Sequence, residues 1–169
     1  MNKQNLLPDA ENLYGTLLEQ IKTVTKDLSK FAIVGIHSGG AWIAERLAKD
    51  LGIKDIGFID TSFYRDDYSE RGLPSNVKPS QINFEVTGAT ILLVDDVLYT
   101  GRTTRAAINE LFDYGRPDKI LLAALVDRGG RELPIAANFV AHEISVKSNQ
   151  TVVLQKGNDG SFSITVKND

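Results

Sequence analysis

The stretch Ile91-Leu92-Leu93-Val94-Asp95-Asp96-Val97-Leu98-Tyr99-Thr100-Gly101-Arg102-Thr103-Thr104 constrains the fold of this chain more than any other. An apolar run ends in two carboxylates, a short loop bearing hydroxyls and a glycine follows, and a helix starts. A strand, a loop and a helix in that order place an anion-binding nest at the carboxyl end of a parallel strand. Gly101 allows the loop to turn with positive φ. Successive backbone N–H groups and the Thr100, Thr103 and Thr104 hydroxyls can then surround a phosphate. Two acids beside such a nest suit a ligand that carries a phosphate together with a diol or a metal, which is a sugar phosphate.

The remaining segments fit around that unit. Asp9 can cap a first helix whose apolar stripe is Leu13, Leu17, Ile21, Val24 and Leu28. Phe31 to Gly35 reads as a buried strand, Ile36 to Gly40 as a glycine-rich turn, and Ala41 to Leu51 as a helix with Trp42, Ile43, Leu47 and Leu51 apolar. Ile56 to Asp60 and Thr90 to Val94 are further strands. Thr103 to Tyr114 is a helix with Ala107, Ile108, Leu111 and Phe112 as its buried face, ended by Gly115-Arg116-Pro117. Lys119 to Val126 is another core strand. Phe139 to Ala141, Thr151 to Gln155 and Ser161 to Val166 read as short strands, the last two joined by a turn at Gly157-Asn158-Asp159-Gly160.

Strands alternate with helices from Phe31 to Val126, which predicts an α/β fold with a mainly parallel central sheet flanked by helices. Three loops leave the carboxyl ends of its strands: Ile36 to Gly40, Asp95 to Thr103, and Asp127 to Arg131. They are expected to line one crevice. The polar segment 61–86, with Gly72, Pro74 and Pro79, is too long for a simple connection. It is expected to form a flap over that crevice, with Gln81 to Val86 as its edge strand. Residues 1–169 show no internal repeat and read as one domain.

Several classes of function fall away. No apolar run approaches the roughly 18 residues of a membrane span, and Met1 to Pro8 lacks the apolar centre of a signal peptide. The absence of cysteine excludes disulfides and thiolate zinc sites and fits a cytoplasmic protein. A formal net charge of −3 does not advertise nucleic-acid binding. The phosphate loop lacks a Walker lysine, and Gly35-Ile36-His37-Ser38-Gly39-Gly40 has the wrong glycine spacing for a dinucleotide site. Phosphoacceptor receiver domains place their acid pair on the first strand and lack the Thr-Gly-Arg-Thr nest.

Val94 to Thr104 resembles the phosphoribosyl-diphosphate (PRPP) loop of type I phosphoribosyltransferases. Tyr64-Arg65-Asp66-Asp67, Gly115-Arg116-Pro117 and the stretch from Leu125 through Asp127-Arg128-Gly129-Gly130-Arg131-Glu132-Leu133-Pro134 to Ile135 extend the resemblance. Together they are similar to the PyrR family of pyrimidine-operon attenuators and uracil phosphoribosyltransferases, over about Phe31 to Leu154. The resemblance implies a type I phosphoribosyltransferase fold with a flexible hood. It implies a reaction in which uracil and PRPP give UMP and diphosphate, and it implies UMP or UTP as regulatory ligands. Asp95, Asp96 and Arg65 are then the expected catalytic residues. Asp95, Asp96, Val97, Leu98, Tyr99, Thr100, Gly101, Arg102, Thr103 and Thr104 would bind the ribose and 5-phosphate, and His37, Ser38, Gly39 and Gly40 the diphosphate. Val126, Asp127, Arg128 and Val152 would form the base pocket. Mg²⁺ would accompany PRPP, held through water by Asp95 or Asp96, and a homodimer or higher homo-oligomer is expected.

Two positions depart from the family. Relatives carry an arginine in the diphosphate loop where this chain has Gly39, so a fixed bidentate charge is missing. That loss is worth on the order of 2 kcal/mol. Reduced transferase activity is therefore expected, with a gain on Gly39→Arg; protonated His37 could replace part of the charge. RNA-binding relatives resemble one another in a basic first helix. Here Asp9 to Lys30 has four acids, three lysines and no arginine. A solvated helix face is favoured over an RNA surface, and any RNA binding should be weak. The alternatives are a nucleotide-binding regulator with little turnover and no RNA binding, or a purine phosphoribosyltransferase, since the base pocket is invisible in sequence.

Overall fold

The computed structural model describes residues 7–26, 29–62 and 80–169. Arg65 and most of the expected flap, with Tyr64, Asp66 and Asp67, lie outside the described residues, as does Leu28. The elements are α1 (Ala10–Lys22), β1 (Phe31–Ile36), α2 (Gly39–Leu51), β2 (Ile56–Ile59), β3 (Gln81–Ile82), β4 (Thr90–Leu98), α3 (Arg102–Tyr114), β5 (Lys119–Asp127), β6 (Phe139–Glu143), β7 (Gln150–Lys156) and β8 (Phe162–Asn168).

Six strands form the main sheet in the order β3-β2-β1-β4-β5-β6. All its pairs are parallel except β2–β3, which is antiparallel and only two residues long. β1, β4 and β5 are apolar on both faces because both faces are covered. Phe31, Ile33, Leu92, Val94, Ala123 and Leu125 pack with α1 and α2, while Ala32, Val34, Ile91, Leu93, Leu122 and Ala124 pack with Ala107 and Leu111 of α3. The chain leaves β1 for α2 on one face and leaves β4 for α3 on the other. The order reverses between these two strands, so a crevice opens there at their carboxyl ends.

The ends of elements carry most of the departures from the sequence reading. Asp9 caps α1 by accepting from the Asn12 N–H at 3.4 Å. Leu13, Leu17 and Ile21 are buried, but the helix stops at Lys22 and Val24 is exposed. The Thr23 and Thr25 hydroxyls donate back to the Gln20 and Lys22 carbonyls, a side-chain competition that ends helices. β4 continues through the acids to Leu98, four residues beyond the expected end, because Asp95, Val97 and Leu98 still pair with β5. In α3, Ala107 and Leu111 are buried as expected, but Phe112 is 53% exposed and Glu110 is buried in its stead.

Glu110 accepts from the Ser80 hydroxyl. Burial holds its carboxyl above the ordinary 4.5, and Asp113 and Asp60 push the same way against the lowering effect of the Ser80 bond. A carboxyl whose folded pKa is raised contributes stability below the unfolded value, and that contribution is lost as pH rises through the folded value. Glu110→Gln should therefore gain in melting temperature relative to the parent as pH rises from about 4.5. Parallel thermal melts across pH check this; a pH-independent difference would refute it.

β7 and β8 form a separate two-stranded hairpin. Leu154 and Phe162 anchor it in the core. The Arg46 guanidinium lies 3.7 Å from the Phe162 ring centre and 4.8 Å from that of Tyr14, and it donates to Glu11 at 2.7 Å and to the Gly160 carbonyl at 2.5 Å. A stacked, multiply bonded arginine of this kind fixes the hairpin against α1 and α2. Among the described residues no helix is long and apolar enough to cross a membrane.

Candidate active site

A cavity of about 850 Å³ occupies the crevice between β1 and β4, a size suited to a nucleotide-scale ligand. Its walls are Ile36, His37 and Ser38 after β1, Asp60, Thr61 and Ser62 after β2, the whole run Asp95 to Thr104, Arg128 and Glu132 after β5, and Thr151 and Val152 of the hairpin. The three loops expected to converge do so.

Thr100 to Thr104 form the phosphate-sized end. Gly101 has φ +91°, and a Cβ there would lie 2.9 Å from Cγ1 of Ile135, so only glycine fits both the backbone and the space. Gly101, at the N-cap of α3, makes no side-chain capping bond, and the first turn carries no acid. The Arg102 N–H is drawn to the Thr100 hydroxyl at 3.2 Å. The next N–H groups face the loop, where an anion complements the helix dipole. The Thr104 hydroxyl is buried and makes no hydrogen bond among the described residues.

The loop after β1 is built similarly. The His37–Ser38 peptide is cis, Ser38 makes no capping bond, and the first turn of α2 has no acid of its own. The His37 ring packs at 5.6 Å on Phe58. Two helix N-termini, from opposite faces of the sheet, thus approach one cavity.

The carboxylates diverge, as adjacent strand residues must. Asp95 is buried on the side of Leu93, and its Oδ1 accepts from the Asp96 N–H at 2.9 Å. Asp96 turns to the α2 side, and its Oδ1 accepts from the Val97 N–H at 2.8 Å. Its side chain lies directly over Gly39. A Cβ at residue 39 would stand 2.7 Å from Cγ and 2.9 Å from Cβ of Asp96. The missing arginine and the acid pair are therefore not independent. A side chain at residue 39 would begin where Asp96 already is, so Gly39→Arg requires Asp96 to move.

The base-pocket residues divide. Arg128 and Val152 line the cavity. Val126 is fully buried in the core, and Asp127 is occupied by Arg131 at 2.5 Å and the Gly129 N–H at 2.9 Å. The Arg128 guanidinium stacks 3.9 Å above the Tyr99 ring centre and donates to the Gln150 and Lys147 carbonyls, tying the hairpin to the site. Gly39 and Gly40 lie behind the lining.

Asp60, Thr61, Ser62, Glu132 and Thr151 line the cavity without having been expected. Asp60 is buried and accepts from the Ser62 N–H at 2.9 Å and its hydroxyl at 2.5 Å. Its sequence signal existed: Ile59-Asp60-Thr61-Ser62 repeats the pattern of an apolar strand ending in an acid and hydroxyls. Among the described residues no cluster of three or more acids or histidines could cage a metal ion. That donor set fits an ion that arrives bound to substrate phosphates and touches the protein through one or two carboxylates.

A family model described as the phosphoribosyl transferase domain matches residues 5–156. A bifunctional protein PyrR of Ralstonia nicotianae is 48% identical over 155 residues, covering 90% of this chain and 89% of that protein. One from Nitrosococcus oceani is 49% identical over 142 residues, covering 82% and 80%. Among solved structures, a hypoxanthine phosphoribosyltransferase from Staphylococcus aureus matches with a TM-score of 0.65 at 23% identity, covering 90% of this chain and 86% of that one, a likeness of fold. With the family model spanning most of its length and relatives near half identical over most of both chains, the chain belongs to the phosphoribosyl transferase domain family and, within it, to the PyrR family.

Proposed function

We propose that the cavity binds PRPP and uracil and forms UMP and diphosphate, and that UMP or UTP in the same cavity serves as the signal for pyrimidine gene control. The observation that carries this reading is the approach of two helix N-termini, neither with an acid in its own first turn, to one cavity, with Asp95 and Asp96 between them. One terminus suits the 5-phosphate and the other the diphosphate. The acids suit the ribose hydroxyls, which no phosphate-only ligand would need.

In the reaction, the bond from ribose C1 to the diphosphate oxygen breaks and a bond from C1 to a uracil ring nitrogen forms. Positive charge develops on the sugar, so positioning and charge stabilisation outweigh acid–base work. Thr100 to Thr104 would hold the 5-phosphate, Asp95 and Asp96 the hydroxyls, and Arg128 and Val152 the side of the base. Mg²⁺, when bound, would neutralise the diphosphate, and Asp95 or Asp96 would hold its water.

A second reading, a nucleotide-binding regulator with little turnover, is favoured by Asp96 standing over Gly39, which puts a carboxylate rather than a cation at the loop read as the diphosphate site. Lys22, the one lysine within α1, is paired with Glu19 at 3.0 Å, so RNA is not central to this proposal. Incubating the protein with uracil and PRPP should yield UMP, and Asp95→Asn should lower kcat/KM for PRPP about tenfold to a hundredfold, the worth of a hydrogen bond to a charged group. UMP binding without turnover would leave the regulator reading. Turnover of hypoxanthine but not uracil would replace uracil with a purine.

A further inference from the structure

The carbonyls of the phosphate loop are held from outside, one after another. The Arg128 N–H donates to the Leu98 carbonyl at 3.0 Å, and the Glu132 and Leu133 N–H groups donate to the Thr100 carbonyl at 2.9 and 3.1 Å. The carbonyl between them, that of Tyr99, accepts from the Arg131 guanidinium at 2.6 Å. Arg131 does not line the cavity. Its other donors are fixed by the Ile135 carbonyl at 2.9 Å and by Asp127 at 2.5 Å, so the guanidinium is a rigid part of the loop after β5.

A trans peptide points its C=O and its N–H in opposite directions. Holding the Tyr99 carbonyl outward therefore holds the Thr100 N–H inward, toward the nest. Were that peptide to flip, the loop would lose one donor and present a carbonyl dipole to the anion. The neighbouring peptides are secured by backbone bonds, and this one depends on a side chain. We infer that Arg131 is a positioning residue, which sets the direction of the Thr100 N–H and thereby completes the anion nest from behind. The inference rests on the reading of that loop as the 5-phosphate site. It also gives a physical use to the Asp127–Arg131 pair, which the base-pocket reading left idle.

The test is a titration with ribose 5-phosphate followed on the backbone amide resonances of residues 99–104, in the parent protein, in Arg131→Met and in Arg131→Lys. The parent should bind, with the Thr100, Thr103 and Thr104 amides shifting. Arg131→Met should bind at least tenfold more weakly and lose the Thr100 response while the Thr103 and Thr104 responses at the start of α3 persist. Arg131→Lys, which keeps a cation able to reach one carbonyl, should recover part of both. If Arg131→Met binds as the parent does, or if all three amides lose their response together, the positioning role is wrong. If the parent itself binds no ribose 5-phosphate, the phosphate site is overturned and the role of Arg131 goes with it.

Discussion

Gly39→Arg lowers kcat/KM for PRPP by about tenfold or more, although it adds the charge that the family resemblance leads one to expect in this loop. The loss comes from the first atom of the new side chain. A Cβ at residue 39 would stand 2.7 Å from Cγ of Asp96, and the Asp96 carboxylate must leave its place over α2 to admit it. Under the proposed function, moving that carboxylate would give up a charge-assisted hydrogen bond to the ribose, worth about 1.5–3 kcal/mol, against a similar gain from the arginine only if the guanidinium also reaches the diphosphate. Gly39→Ala isolates the steric part, since it adds the Cβ without the charge, and should show most of the loss. Steady-state kinetics with varied PRPP on both variants decide between the two effects. A silent Gly39→Ala with a more active Gly39→Arg would mean that Asp96 moves freely and that the missing charge alone limits the protein.

Gly101→Val removes UMP binding and destabilises the fold together. The residue sits at φ +91°, and an added Cβ would lie 2.9 and 3.0 Å from Cγ1 and Cβ of Ile135. Left-handed backbone costs a non-glycine residue about 1–2 kcal/mol, and overpacking about 1–3 kcal/mol more. For a protein of this size, that total lowers the melting temperature by roughly 5–15 °C. Relief of the strain rotates the peptides at the start of α3, which is where the anion donors are. UMP affinity should fall by two orders of magnitude or more, beyond what the melting temperature alone implies, when titrated well below the transition. Undiminished UMP binding in a folded Gly101→Val protein would move the phosphate site elsewhere.

The parts of the fold readable from sequence are those governed by local pattern. The apolar runs of β1, β4 and β5, the Asp9 cap and the glycine of the phosphate loop each state their own structure. Phe112 is exposed although it lies on the apolar stripe, because a helix stripe has a tolerance of one position. Glu110, two residues earlier, turns inward to meet Ser80, thirty residues away in sequence. The extension of β4 through Asp95 and Asp96 depends on partners in β5 that no local signal names. The contact between Asp96 and Gly39 joins the ends of two parallel strands, so the vacancy at residue 39 looked like a missing charge until the fold put a carboxylate there. Asp60 carried a strand-end signal as clear as that of Asp95, weakened only by the shorter run before it.

The hairpin of β7 and β8 supplies two walls of the cavity, Thr151 and Val152, yet shares no ladder with the six-stranded sheet. Its attachments are side chains: Leu154 and Phe162 in the core, Arg46 at one end and Arg128 at the other. A unit joined in this way can open sub-globally without unwinding the sheet. Occupancy of the cavity then becomes an energetic weight on that opening, since a nucleotide touching Thr151 and Val152 is lost when the hairpin departs. Under the proposed function, the exchange of the Gln150 to Lys156 amides would slow as nucleotide concentration rises, as would the global unfolding that limits β4, so the hairpin would report ligation at a lower opening free energy than the sheet.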